Sequence, residues 1–212
     1  MISNYKKKKF EIIIFSILLL LPIFIDSYYL DNISYFMCWT FISLGLAVIW
    51  GMGGILSFGQ TAFFGLAGYA FSVISINFLG IAGVSIWSVI LSLIITGIFG
   101  MIVGYFLFYG GIYDVFIGIV TLAITLVLET FMQQTAGPEY TIGSARLNGF
   151  NGMQGMPTIG FESLQFGLLE GVTQYYFILL LAIIILISLY KFKQSKIGLV
   201  FLASKEDRER VS

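Results

Sequence analysis

The sequence has no histidine and a single cysteine, Cys38. Without histidine the chain has no imidazole to serve as general base, proton relay or metal ligand near neutral pH. One cysteine excludes an internal disulfide and any cysteine-based metal cluster. Charge is scarce as well. Only 10% of residues are charged, against about 25% in a soluble domain. Eleven basic and eleven acidic residues cancel, so no bulk field attracts nucleic acid. There is no Walker A loop and no G-x-S-x-G elbow. The chain therefore cannot power ATP-driven transport alone. An enzyme is disfavoured, and neither metal nor cofactor is expected.

What fills the sequence is apolar: 58% of residues are hydrophobic. In water such a chain would expose large hydrophobic patches. It reads as an integral membrane protein. Spanning segments must satisfy their backbone polar groups internally, so the expected fold is an all-α polytopic transmembrane bundle. Apolar runs place about six spans, near 10–30, 33–50, 61–79, 86–108, 115–132 and 174–190. The first has a short uncharged core, which snorkelling lysines and the Tyr28–Tyr29 pair would extend. A signal peptide is the other reading of that basic, then apolar start, but no A-x-A-like cleavage site follows. With the N-terminus in the cytoplasm, Lys6 to Lys9, Lys191, Lys193, Lys196, Lys205, Arg208 and Arg210 all fall inside. Only Arg146 falls outside, as the positive-inside rule favours. The expected organisation is a basic cytoplasmic N-terminus (1–9), a transmembrane domain (10–190) with an external loop (133–172), and a charged cytoplasmic tail (191–212).

The stretch WGMGGILSFGQTAFFGLAGYA, residues 50–70, stands apart from lipid-facing helix. Gly51, Gly53, Gly54, Gly59, Gly65 and Gly68 alternate with Ser57, Ala62, Ala67 and Ala70 around polar Gln60 and Thr61. Small residues in a membrane mark close helix–helix contact. A Gly-interrupted apolar segment also points to a discontinuous helix beside a transport path. Both readings stay open for it. Gly100-x-x-x-Gly104 is a further close-packing spacing. Glu129 is the main acid within a span, and an intramembrane carboxylate is costly enough to suggest a function. Its position near the span's end also lets it reach interfacial water. Asp114 reads as a helix N-cap. The tail IGLVFLASKEDRER fits a solvated helix end, a docking surface or an interfacial helix.

Three stretches resemble the permease subunits of branched-chain amino acid ABC importers, a family that includes urea and amide permeases. The first, GMGGILSFGQTAFFGLAGYA, is similar to the family pattern Gly-x-x-Gly-x-x-Ser-x-Gly-[His/Gln]-x-Ala-Phe-Phe-Gly-x-Gly-Ala-Tyr. The second is GGIYDVFIGIVTLAITLVLE with the following AGPEYTIGSARLNGFNG, an imperfect fit at 114–116. The third, SKIGLVFLASKEDRERVS, is similar to the family's cytoplasmic Gly-x-x-Leu-x-Ala-x-[Arg/Lys]-Glu-[Asp/Asn] motif. The resemblance implies that Gly198, Leu202, Ala203, Lys205, Glu206 and Asp207 contact an ATPase. It puts Gly51, Gly54, Ser57, Gly59 and Gln60 near the translocation path; we add Thr61 and Glu129 as path or core-packing candidates. Gln60 stands where many relatives have histidine, which excludes a protonatable role there.

A role follows as an expectation: one permease subunit of an ATP-driven importer in the bacterial cytoplasmic membrane. Its partners would be lipid, a second permease subunit, cytoplasmic ABC ATPases and a periplasmic or lipid-anchored substrate-binding protein. Its substrate would be a branched-chain amino acid or a related small amino acid or amide. Family members continue past the third motif with further spans, so the chain is expected to be C-terminally truncated. The competing readings are an ATP-independent channel or carrier, and a non-transporting membrane anchor.

Overall fold

The computed structural model describes residues 13–112, 115–160, 171–203 and 205. Lys6 to Lys9, Asp114, Glu206, Asp207, Arg208 and Arg210 lie outside them.

Helices run in the order that the apolar segments foretell. They are α1 (Ile13–Ile23), α2 (Ser27–Gly53), α3 (Gln60–Asn77), α4 (Val84–Tyr109), α5 (Val115–Gln133), α6 (Gly171–Gln194) and α7 (Lys196–Ala203). Among the described residues, α2, α4, α5 and α6 are long and apolar enough to cross a membrane. Helix α1 is a shorter apolar helix. Helix α3, with 18 residues, carries Gln60, Thr61, Ser72, Ser75 and Asn77, which dilute its apolar character. The protein is a polytopic helical membrane bundle.

The largest departure from expectation is at the start. The segment expected as one span over 10–30 breaks at Pro22, where the helix tightens into a 3₁₀ turn over Leu21–Ile23. Proline has no N–H to continue the ladder. Asp26, extended at ψ 153°, then opens α2, its backbone carbonyl accepting from the N–H groups of Tyr29 and Leu30 at 3.0 and 3.1 Å. Tyr28 and Tyr29 therefore sit in the first turn of α2, not at the end of the first span. Without its proton, Pro22 leaves the Leu18 carbonyl bare, and the Tyr175 hydroxyl donates to it at 2.6 Å. Tyr176 donates to the Leu19 carbonyl at 3.1 Å. These bonds tie α1 to α6 around a core of Leu30, Tyr175 and Leu179.

Helices α3 and α4 form an antiparallel hairpin, and both bury serines: Ser72 and Ser75 on α3, Ser88 and Ser92 on α4. Each hydroxyl donates to a carbonyl of its own preceding turn. Polar capacity is thus used locally, and the small side chains let the backbones approach. The Gly100–Gly104 pair plays less part than its spacing suggests. An added Cβ on Gly100 would meet Phe63 at 3.6 Å, and on Gly104 only Phe108 of the same helix.

The segment after α5 is ordered over 134–160 and is not purely helical. It forms a two-residue antiparallel hairpin, β1 (Thr141–Ile142) with β2 (Ala145–Arg146), then a 3₁₀ turn over Gly149–Asn151. Asn77, the last residue of α3, holds the hairpin turn at both ends. Its Nδ2 donates to the Ile142 carbonyl at 2.7 Å, and its Oδ1 accepts from the Ser144 N–H at 2.8 Å. Ser85 pairs with both backbone groups of Gly160, at 2.9 and 3.1 Å. The loop is thereby fastened over the α3–α4 end.

Candidate functional site

The Gly-rich stretch divides into three physical parts. The first is the end of α2. Gly54 adopts φ +69°, a left-handed conformation that favours glycine. Its N–H returns to the Trp50 carbonyl at 3.1 Å, and the Ile55 N–H to the Ile49 carbonyl at 3.2 Å. Carbonyls left open by the helix end are so satisfied.

The second part is a ribbon without helix, 54–59. A non-helical backbone at membrane depth is tolerated only where protein supplies its hydrogen bonds. Here α5 supplies them. The Phe58 N–H donates to Thr121 Oγ1 at 3.0 Å, and the Thr125 hydroxyl donates to the Phe58 carbonyl at 3.0 Å. One residue, Phe58, is held at both its N–H and its carbonyl by threonines one turn apart. Ser57, itself buried, accepts from the Gly59 N–H at 3.3 Å. Close approach depends on small residues. A Cβ on Gly118 would stand 3.4 Å from the Leu56 carbonyl, and one on Gly59 would stand 3.3 Å from Phe63 and 3.4 Å from Thr121.

The third part is the start of α3, where the chain becomes helical at Gln60. Gln60 turns toward α2, its Oε1 within 3.1 Å of where a Cβ on Gly45 would be. Thr61 turns the other way, into a cleft of about 340 Å³ between α3 and α5. Leu66, Tyr69, Leu128 and Met132 line its apolar wall, and Phe150 from the loop lies at its edge. Glu129 opens into the same cleft, and its Oε1 accepts from Gln133 Nε2 at 3.0 Å. The volume falls in the range of small-molecule sites, roughly 300–1,000 Å³.

The structure therefore sorts the candidate path residues into separate places. Thr61 and Glu129 share the cleft. Ser57 and Gly59 belong to the ribbon on α5. Gln60 faces α2. Gly51 and Gly54 belong to the end of α2, where the tail reaches them. Gly65 and Gly68 have no packing atom within 4 Å of an added Cβ, so small size there serves no contact among the described residues.

The tail packs against the end of α2. Lys205 Nζ donates to the Gly51 carbonyl at 3.2 Å. An added Cβ on Gly54 would meet Lys205 Cγ at 2.9 Å, and one on Gly53 would run into the Phe201 ring at 2.5–3.1 Å. The corner between α6 and α7 is built by Ser195 and Gly198. Ser195 Oγ accepts from the Gly198 N–H at 3.1 Å and donates to the Phe192 carbonyl at 2.7 Å. A Cβ on Gly198 would collide with that same carbonyl. Gly198 is thus required by the corner itself. Leu202 and Ala203 close α7.

Sequence reasoning missed Thr121, Thr125, Gly118 and Phe201. A signal existed for the threonines: Thr-x-x-x-Thr puts two hydroxyls on one face of an otherwise apolar helix. Nothing in the sequence marked Phe201 as the partner of Gly53.

Comparison with curated proteins and with solved structures gives no match. A family model described as "Branched-chain amino acid transport system / permease component" matches residues 28–212. That match covers the ribbon, the cleft and the tail, and the chain belongs to this family of transport permeases.

Proposed function

We propose that the chain is a permease subunit of an ATP-driven ABC importer in the bacterial cytoplasmic membrane. It moves branched-chain amino acids, or related small amino acids or amides, inward. Its partners are a second permease subunit, cytoplasmic ABC ATPases and a periplasmic or lipid-anchored substrate-binding protein. The observation that supports this most is the seat of the tail on α2. Lys205 and Phe201 press on Gly51, Gly53 and Gly54, immediately before the helix breaks beside the cleft. The segment proposed to contact the ATPase, Gly198 to Asp207, is thereby joined to the segment proposed to form the path, Gly51 to Thr61 with Glu129. ATP hydrolysis by the partner subunits would move α7, and α7 would move the end of α2.

The test is transport in proteoliposomes containing the assembled subunits, with labelled leucine outside and ATP supplied to the ATPases. Uptake that needs both ATP and an intact 196–205 segment is expected. Leucine flux that persists without ATP or without that segment would make the chain a channel or carrier. Absence of flux in every assembly would make it an anchor.

A further inference from the structure

We propose that the corner between α1 and α2 is a binding site for one phospholipid with a primary-ammonium headgroup, phosphatidylethanolamine, whose ammonium pairs with Asp26. The site lies apart from the α3–α5 cleft and does not depend on the transport role.

The site begins with Pro22. Because the break there ends α1, Phe24 and Ile25 border a groove of about 440 Å³ together with the first turns of α2. Asp26, Tyr29, Ile33 and Phe36 line it from the α2 side, recurring at helical spacing along one face. The neighbouring face is the buried one, where Leu30 packs against Tyr175 of α6.

Depth follows from length. Helix α2 has 27 residues, about 40 Å at 1.5 Å per residue, which exceeds a hydrocarbon core of about 30 Å. Its last residues lead into the ribbon that α5 shelters, so the excess falls at its start. Asp26 therefore stands among headgroups, and Phe36, about 15 Å further along the helix, stands at the depth of acyl chains. The groove passes from polar to apolar in the order that a phospholipid does.

The charge at its polar end is negative and unused. Asp26 holds the N-cap position of α2, yet its side chain makes no capping hydrogen bond. Between residues 10 and 190 the sequence has one lysine or arginine, Arg146, and its Nη2 donates toward the Ala136 carbonyl at 3.5 Å. Beside Asp26, Asn32 Nδ2 donates to the Tyr28 carbonyl at 3.0 Å, which leaves its Oδ1 as a second acceptor in the groove. An ammonium group brings three donors and no acceptor, and the exposed rings of Phe24, Tyr29 and Phe36 offer faces that attract a cation. An anionic headgroup would meet an acid and no counter-ion. Aromatic residues at a membrane interface anchor a helix without choosing a headgroup; here the carboxylate makes the choice.

The experiment titrates the full chain, purified in detergent, with palmitoyl-oleoyl phosphatidylethanolamine and separately with palmitoyl-oleoyl phosphatidylglycerol. Retained lipid is counted by native mass spectrometry. The ethanolamine lipid should bind about threefold more tightly or better, the scale of an exposed charge pair with a cation–π contact. Asp26→Asn keeps the backbone carbonyl that opens α2 and should erase the preference. Asp31→Asn, at an exposed acid outside the groove, should leave it intact. Phe24→Leu reads the same site from the α1 side, and should weaken the ethanolamine lipid and spare the glycerol lipid. The proposal is overturned if the chain retains both lipids equally, or if Asp26→Asn keeps the preference. It is also overturned if Asp31→Asn lowers the preference as much as Asp26→Asn, which would make it an effect of diffuse surface charge. Dimers that Phe36→Ser disperses while the count of bound phosphatidylethanolamine stays the same would assign the groove to a second copy of the chain, and would overturn it too.

Discussion

The Tyr175 hydroxyl sits 2.6 Å from the Leu18 carbonyl, the acceptor that Pro22 deprives of its helical donor. A side chain of α6 thus completes the backbone of α1, 157 positions away in sequence. Tyr175→Phe should leave that carbonyl without a partner and cost about 1–3 kcal/mol. Pro22→Ala restores a backbone N–H at the position that normally serves Leu18. The double variant should therefore lose much less stability than Tyr175→Phe alone. Thermal unfolding of the purified chain in detergent, run as a double-mutant cycle, reads the coupling. Additive losses would show that the two residues do not share the carbonyl.

The ribbon gives a second prediction. Thr121→Val keeps the shape of the side chain but leaves the Phe58 N–H without its acceptor. The expected loss is about 1–3 kcal/mol, with Thr121→Ser milder because it retains the hydroxyl. Thermal unfolding again measures it. A stable Thr121→Val beside a destabilised Thr121→Ser would assign the stability to the methyl contacts and not to the hydrogen bond.

A third prediction concerns the tail. Gly53→Ala places a methyl group in the Phe201 ring and should displace α7 from α2. A cysteine pair, Gly51→Cys with Lys205→Cys, reports that contact by crosslinking, with the native Cys38 replaced by serine. Crosslinking should fall in the Gly53→Ala background and return when Phe201→Ala is added. Unchanged crosslinking in Gly53→Ala would mean that the ring moves aside without shifting α7.

Much of this fold was legible because lipid imposes a strong pattern. Runs of apolar residues long enough to span placed α3, α4 and α5 close to their observed ends, while α2 begins earlier, at Ser27, and α6 runs on to Gln194. The exception at α1 is instructive. Hydropathy does not change across Pro22, so the apolar run alone suggested one continuous span. The break is decided by a missing N–H and not by polarity. The site was legible only in outline. Glycines and small polar residues announced an interruption after α2, and the acid in α5 stood out against its neighbours. That Thr61 and Glu129 share a cleft, while Gln60 turns to α2, depends on where α3 begins, and one residue of helical phase changes a side chain's direction by about 100°. Phe201 could not be matched with Gly53 because one phenylalanine among 21 carries no mark of its partner.

Phe58 is clamped to α5 at both its N–H and its carbonyl, while the chain before and after the ribbon belongs to two stiff rods, α2 and α3. Such a clamp is a fulcrum. The tail grips the end of one rod, and the cleft is cut into the side of the other. A movement carried along the chain from one rod to the other would have to pass that pinned residue, held by two hydroxyl groups.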